Sequence, residues 1–428
     1  MKILIYGLNY APELTGAGKY TGEMAVWLAA RGHEVRVVTA PPYYPAWHID
    51  RRYSGRRYKV EPASGRVPKV YRCPLWVPAH PRGTTRMFHL SSFALSSIPM
   101  MVIQALWRPK IVFTVEPTFF AAPVALISAA LSGAVSWLHI QDLEVDAAFR
   151  LKLLPADGYL QKVAKRLERL FTGCFSRVSS ISHKMVERIS EQNPMQNNAV
   201  LFPNWSDLEA IRPALREESN SFREEHGLTE KIVFLYSGSM GAKQGLEALV
   251  PLVEAYKEDA RVHFLFCGDG VSRQQLEKQV RHMPNVTMLP LQPLSHLSEL
   301  LNAADVHLLP QKRDAADLVM PSKLNGILAS GRPVIAIADQ GTEVEFVVAG
   351  CGVGLVVPDG DAVALCTAAA RLIENPELRA SMGCAAREYA VKHLNKELVL
   401  RRFELEMLSL LTPPEKTEGI PLAQSYRS

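Results

Sequence analysis

An α/β chain of two parallel-sheet domains facing a shared cleft is what this sequence predicts, from two segments about 230 residues apart. In each, an apolar strand runs into a glycine-rich turn and then a helix. The first spans Lys2 to Leu28: Ile3, Leu4, Ile5 and Tyr6, a loop with Gly7, Gly16 and Gly18, then an Ala-rich helical stretch. The second spans Ile232 to Leu249: Val233, Phe234, Leu235 and Tyr236, then Ser237-Gly238-Ser239-Met240-Gly241-Ala242-Lys243-Gln244-Gly245. Glycine lets the backbone approach a ligand, and the following helix start offers unpaired N–H groups with partial positive charge. Each segment opens its own run of alternating strands and helices, the mark of a Rossmann-like domain.

In the first half strands are expected at 3–6, 35–39, 111–115, 135–140, 177–180 and 200–202. Helices are expected at about 18–30, 121–131 and 159–172, with another after Ser182. A Pro-rich segment, Pro41-Pro42-Tyr43-Tyr44-Pro45, follows the second strand, and Pro203-Asn204 closes the half. The charged run Arg216 to Asn220 marks a linker region between Ser206 and Lys231. The second half repeats the alternation, with strands at 232–237, 262–267, 286–289, 306–309, 334–337 and 354–357 and terminal helices at 376–393 and 397–411. The boundaries read as residues 1–208 and 209–394 for the two domains. A last helix, 395–411, is expected to pack back on the first domain, and 412–428 to be a disordered tail.

Two domains of about 200 residues suit a chain of 428. Six cysteines without a CxxC pair or metal spacing point to reduced thiols, and the N-terminus reads as a strand rather than a signal peptide. A cytoplasmic enzyme is the expectation. The apolar stretch Ser91 to Trp107 is broken by Pro99 and falls short of the roughly 20 residues of a membrane-spanning helix.

Charge is unevenly placed. Residues 1–208 hold 25 Lys and Arg against 14 Asp and Glu, whereas residues 209–428 hold 23 against 29. The excess concentrates between Arg51 and Lys110, in Arg51, Arg52, Arg56, Arg57, Lys59, Arg66, Lys69, Arg72, Arg82, Arg86, Arg108 and Lys110, with Glu61 as the acid inside the stretch and Glu116 just beyond it. Trp47, Tyr53, Tyr58, Tyr71, Trp76 and Phe88 are interleaved. Such a strip is either a solvated loop region or a contact for anionic lipid headgroups, a phosphorylated acceptor or nucleic acid. No nucleic-acid motif accompanies it, so a membrane partner is favoured over nucleic acid.

Gly16-Ala17-Gly18 with Gly22 has the wrong spacing for G-x-G-x-x-G, and the second strand ends in Val38-Thr39-Ala40-Pro41 where a dinucleotide site needs an acid. A loop that closes over an acceptor or a leaving diphosphate fits better. Lys243 stands where the helix of the second domain is expected to begin, so its ammonium and the turn N–H groups would converge on one anion. A solvated helix-start lysine is the plainer alternative. Ser322 and Lys323, in Met320-Pro321-Ser322-Lys323-Leu324, follow another strand and loop. Pro321-Ser322 is an ordinary helix start, but Lys323 adds positive charge to a positive helix end, which calls for an anion. Two lysines at two helix starts argue for a diphosphate. His139, at a strand end beside Gln141, Asp142, Glu144 and Asp146, is either a packed histidine or part of a polar cleft. No Ser-His-Asp or Cys-His arrangement and no metal cluster emerges.

From its first strand to about Leu411 the chain resembles glycosyltransferase family 4. Pro203-Asn204-Trp205-Ser206-Asp207 looks like the hinge pattern P-N-G-x-D, Gly268-Asp269-Gly270 like the family G-x-G, and Ala329-Ser330-Gly331-Arg332-Pro333-Val334-Ile335 matches A-x-G-x-P-V-I. More narrowly it is similar to bacterial fucosyltransferases of colanic acid exopolysaccharide synthesis. The strings that carry this are Tyr6-Gly7-Leu8-Asn9-Tyr10, Leu14-Thr15-Gly16, Lys19-Tyr20-Thr21-Gly22-Glu23-Met24, Ala40 to Pro45, His139-Ile140-Gln141-Asp142, Phe202 to Ser206 and Lys243-Gln244-Gly245-Leu246-Glu247.

The resemblance implies a GT-B fold and retaining, metal-independent transfer without an additional cofactor. It also implies a nucleotide-diphosphate sugar, GDP-fucose, as donor and a polyprenyl-diphosphate-linked oligosaccharide as acceptor at the inner membrane face. Lys243 and Lys323 would stabilise the leaving diphosphate, with Gly16, Gly18, Gly238, Gly268, Asp317 and Ser322 around the donor. His139 would touch the sugar or acceptor and Asp142 would orient it. The family's paired glutamates are replaced by Leu318 and Gly326, and an arginine near the glycine turn by Ser239. Asp314 and Asp317 are the nearest substitutes for the lost carboxylates. Two rivals share the fold: a nucleotide-sugar epimerase, and a non-catalytic protein that binds lipid-linked sugar.

Overall fold

The computed structural model describes residues 1–13, 16–79, 83–116, 119–142, 158–194, 196, 198–214, 220–241, 244–313 and 321–412. The N-terminal domain is built on strands β1 (Lys2–Gly7), β2 (Glu34–Thr39), β3 (Lys59–Glu61), β4 (Lys69–Arg72), β5 (Ile111–Glu116), β6 (Val135–Ile140), β7 (Arg177–Ser180) and β8 (Ala199–Leu201). They lie in the order β3-β4-β2-β1-β5-β6-β7-β8, all pairs parallel except β3 with β4. Its helices are α1 (Gly16–Ala30), α2 (Gly83–Leu106), α3 (Ala122–Ser132), α4 (Gly158–Cys174) and α5 (His183–Gln192).

Period-two alternation divides each strand between two cores. Leu4, Tyr6, Val38, Val112 and Leu138 meet Leu90, Phe93 and Met101 of α2 and Ala122, Ala125 and Ala129 of α3. Ile3, Ile5, Val37, Phe113 and Trp137 meet Met24 and Leu28 of α1 on the other face. Burial on both faces is why these strands read as continuous apolar runs.

The C-terminal domain has a second parallel sheet, in the order β11-β10-β9-β12-β13-β14. Its strands are β9 (Ile232–Ser237), β10 (Val262–Cys267), β11 (Val286–Leu289), β12 (Val306–Pro310), β13 (Val334–Ile337) and β14 (Gly354–Val357). Around it run α6 (Ser221–Glu225), α7 (Val250–Ala255), α8 (Arg273–Val280), α9 (Leu297–Asn302), α10 (Ser322–Ala329), α11 (Ala362–Glu374) and α12 (Pro376–His393).

The final helix, α13 (Lys396–Ser409), lies on the N-terminal domain. Phe403 stacks on Phe202 at 4.3 Å between ring centroids and meets Phe113 and Trp137 edge-on, each at 5.0 Å. Glu404 takes Arg31 at 3.0 Å and His33 at 2.7 Å. The two crossings between domains run side by side, the Ser206 N–H donating to Leu394 O at 2.9 Å. A cap also reaches across. The Glu343 carboxylate accepts from the Lys184 N–H at 2.9 Å and pairs with His183 at 3.0 Å, at the start of α5.

Every strand expected from the sequence is present to within a residue, and the structure adds β3 and β4 inside the basic stretch. Arg72, counted among the surface cations, is a buried residue of β4. Its guanidinium donates to Ala40 O and Ala11 O and pairs with Glu61 at 3.2 Å. Pro99 does not break the apolar stretch as expected; it sits inside α2. The ring removes an N–H that would otherwise bond the carbonyl of Leu95, an exposed residue, so water can serve that oxygen. By length and apolar composition α2 could cross a membrane, yet one face of it is buried on the sheet.

Candidate active site

In open α/β sheets ligands bind beyond the carboxyl ends of the strands, where the strand order reverses. In the C-terminal domain that point lies between β9, whose successors β10 and β11 go one way, and β12, which lies the other way. Gly238 leaves β9 at φ +112°, a conformation that L side chains rarely adopt. Lys323 enters α10 from the β12 side. The two meet: a Cβ built on Gly238 would lie 3.4 Å from Lys323 Cε and 3.6 Å from its Nζ.

Lys323 Nζ donates to Tyr236 Oη at 2.5 Å and to Ser239 O at 3.4 Å, and lies 3.9 Å from the Tyr236 ring centroid. Tyr236 Oη donates in turn to Ser239 O. Burial raises the Tyr236 hydroxyl well above its ordinary pKa, so it stays a neutral partner beside the cation. Pro321 at the N-cap position supplies no side-chain cap to α10, and Ser322 is exposed at its first position. An ammonium, a glycine turn and a helix start therefore face one place at a switch point. That set attracts an anion.

Gly268 is required by packing. A Cβ on it would fall 1.9 Å from Gly238 O, and one on Gly270 would fall 2.5 Å from Met240 O. The turns after β9 and β10 lie on each other, with Gly238 N donating to Cys267 O and Met240 N to Asp269 O, both at 2.8 Å. Gly268 shapes the site from behind.

Lys243, Asp314, Asp317 and Leu318 lie outside the described residues. Beyond them, the described residues show a 3₁₀ turn at Leu246–Leu249 followed by α7. Gly245, at φ +65°, precedes that turn, and Pro251 pre-sets the first turn of α7. Gly326 is half-buried in α10, and a Cβ there would meet Leu301 Cδ1 at 3.4 Å, an ordinary contact.

His139 is a packed histidine, 3% exposed, and direct contact with a sugar or acceptor does not fit that burial. Its Nδ1 donates to Ser179 Oγ at 2.9 Å, and its Nε2 accepts from Gln141 Nε2 at 2.8 Å. Burial pushes its pKa down to about 3, so the ring is neutral. It is nevertheless linked to the site. Gln141 exchanges hydrogen bonds with the Asn204 side chain at 3.0 and 3.1 Å; Asn204 O accepts from Asn325 Nδ2 at 3.1 Å; and Asn325, buried on α10, lies near Tyr20 of α1. Sequence reading missed Asn325, two residues from Lys323.

The N-terminal domain presents its own switch point between β1 and β5. Glu13, in the loop after β1, is 6% exposed and holds that loop to the Pro-rich segment. Its Oε1 accepts from the N–H groups of Tyr43 and Tyr44, both at 3.0 Å, and its Oε2 from Asn9 Nδ2 at 2.9 Å. Burial raises its pKa against the pull of those three donors. Gly18 is required here, since a Cβ would fall 2.7 Å from Glu13 Oε2, while Gly16, at φ +60°, has open space around it. Tyr44 is 42% exposed, and burial and then the charge of Asp142 raise its pKa, which places Asp142 near the tyrosine. Glu13→Ala would leave three donors without their acceptor and is expected to cost about 2 kcal/mol of stability, read as a lower midpoint in urea. Among the described residues no His, Cys, Asp and Glu side chains gather as a metal site.

Residues 15–205 match the Glycosyl transferase 4-like domain and residues 218–389 the Glycosyl transferases group 1 family. The chain belongs to this glycosyltransferase family, and its two facing parallel-sheet domains are the GT-B fold. It is 41% identical over 409 residues, 94% of this chain and 98% of the relative, to WcaI of Escherichia coli (strain K12), a glycosyl transferase whose name assigns it provisionally to colanic acid biosynthesis. Among solved structures, sucrose-phosphate synthase of Thermosynechococcus elongatus superposes with a TM-score of 0.72 at 17% identity, over 96% of this chain and 99% of that one. HepE of Anabaena superposes at 0.69 and 13% in complex with UDP, and at 0.68 and 14% with UDP-glucose, over 96% of this chain and 100% of that one in each case.

Proposed function

We propose that this glycosyltransferase moves a sugar from a nucleotide-diphosphate donor to a polyprenyl-diphosphate-linked oligosaccharide during exopolysaccharide assembly, with GDP-fucose as the first donor to try. The observation that carries the reading is the convergence of Lys323 with the Gly238 turn and the start of α10 at the β9/β12 switch point. The likeness to WcaI supports the pathway, and the nucleotide complexes of HepE support a nucleotide sugar as donor.

The barrier in such a transfer lies in expelling the diphosphate as positive charge grows on the sugar ring. Lys323, with Lys243 beside the same turn in sequence, stabilises the departing charge electrostatically. The reaction retains configuration and uses no metal in this reading. Tyr44 and Asp142 form the acceptor side. His139 acts through Gln141, Asn204 and Asn325, holding α10 in place rather than touching substrate. With Gly326 unable to accept from the ribose hydroxyls, Asp317 takes that role. Asp317→Ala is expected to lower kcat/KM about tenfold in a steady-state assay.

Acceptors of this class sit at a membrane, and the exposed cations at Arg51, Arg52, Arg56 and Arg57 suit an anionic surface. Replacing these four with Gln is expected to release the protein from vesicles containing phosphatidylglycerol while leaving thermal unfolding unchanged. The reading as a whole is tested by incubating the protein with a panel of nucleotide sugars and membrane extract. Sugar incorporated into lipid-linked product supports it. Interconversion of the free nucleotide sugars would indicate the epimerase instead. Binding of lipid-linked sugar without turnover would indicate a non-catalytic role, the reading that Gly326 favours.

A further inference from the structure

The outer side of the N-terminal domain carries a surface that the transfer chemistry does not use. Opposite the buried face of α2 lie Phe88 at 66% exposure, Leu95 at 67%, Val102 at 45% and Leu106 at 81%. At 3.6 residues per turn these four fall within about 40° of one another around the helix, so they form one ridge. Alongside α2, α3 adds Ile127 at 59% and Leu131 at 64%.

Beside this ridge a groove of about 730 Å³ opens between α2 and the segments that include Ile49, Leu75, Trp76 and Val77. Ser92 and Ser96 of α2 line it, and their hydroxyls are already committed, donating to His89 O and Pro74 O at 2.7 and 2.6 Å. Ile49, Pro74, Leu75, Trp76 and Val77 give the groove its apolar wall, Tyr53 and Ser54 line it as well, and Arg56 is the cation among the lining residues. Arg51, Arg52, Arg57 and Lys59 are exposed in the same segment, and its acid, Asp50, is bound by Arg52 at 2.7 Å. An apolar ridge, a groove with one apolar wall and an adjoining run of cations are complementary to an anionic bilayer, which offers hydrocarbon below a negative surface.

We propose that α2 lies in the interface of an anionic phospholipid bilayer with its ridge in the hydrocarbon, and that the groove takes one lipid chain while Arg56 meets the lipid phosphate. The inference rests on the membrane-bound acceptor reading for its purpose, and it changes the contact from charge attraction to insertion.

The test uses the full chain at low salt with phosphatidylcholine vesicles containing phosphatidylglycerol whose chains carry bromine, a contact quencher of tryptophan. Trp76, on the groove wall and 48% exposed, is the reporter. The expected result is bromine-dependent quenching, a large part of which disappears in Trp76→Phe. The variant Leu95→Ser/Leu106→Ser, altered only at exposed positions, should bind the vesicles at least about tenfold more weakly with unchanged thermal unfolding. Vesicle binding without bromine quenching, or with quenching equal in Trp76→Phe, would mean attachment by charge alone and would overturn the inference while leaving the membrane reading. No vesicle binding at all would remove both. Sedimentation showing a dimer that Leu95→Ser/Leu106→Ser dissolves would make the ridge a subunit interface and also overturn it. Failure of sugar transfer with every donor, alongside positive quenching, would count against the reaction and not against the surface.

Discussion

Lys323→Ala is expected to weaken binding of the nucleotide-sugar donor by about 1.5–3 kcal/mol, roughly ten- to a hundredfold, the range for hydrogen bonds to charged groups. Tyr236 and Ser239 hold the side chain beside the glycine turn without ligand, and a donor phosphate would take its Nζ from Tyr236. Calorimetry with the donor measures the effect, and the thermal midpoint separates it from misfolding. Lys323→Arg is not a conservative rescue here, because Gly238 lies against Lys323 Cε and the larger guanidinium has to displace the turn. Donor affinity unchanged in the alanine variant would remove the diphosphate role of this lysine.

Gly268→Ala is expected to destabilise the C-terminal domain by about 3 kcal/mol and to lose donor binding with it. A Cβ 1.9 Å from Gly238 O cannot be relieved by rotating a side chain, since the obstacle is backbone. Either the turn after β9 or the turn after β10 must move, and the first of these carries the site. Urea unfolding of the variant reads the stability, and calorimetry under folding conditions reads the site. Gly16→Ala is the contrast: its Cβ would have open space, so the strain is that of φ +60° alone.

The sequence carried the sheets well and the site in part, for different physical reasons. Strands β1, β5, β6, β9 and β10 are buried on both faces, so each announces itself as an apolar run. β3 and β4 do not, because Lys59-Val60-Glu61 and Lys69-Val70-Tyr71-Arg72 are short, charged pieces of one sheet edge. The extent of α2 was hidden by Pro99, whose cost is small on an exposed helix face. Lys323 was legible because a cation at a helix N-terminus runs against the dipole. Glu13 was not: its meaning depends on the N–H groups of Tyr43 and Tyr44, thirty residues on. The same holds for Asn325, whose partner Asn204 is joined to it only by the fold. His139 was noticed for its polar neighbours, yet the register of β6 turns its ring toward Ser179 and Phe113, inside the sheet's cover.

In the proposed reaction the turn after β9 and the start of α10 hold the donor diphosphate. A crystal structure of the full chain with GDP or UDP bound tests it most directly. The expected result is the diphosphate against Gly238 and the first turn of α10, with Lys323 Nζ moved from Tyr236 onto a phosphate oxygen. A nucleotide bound elsewhere, with Lys323 still resting on Tyr236, would contradict it.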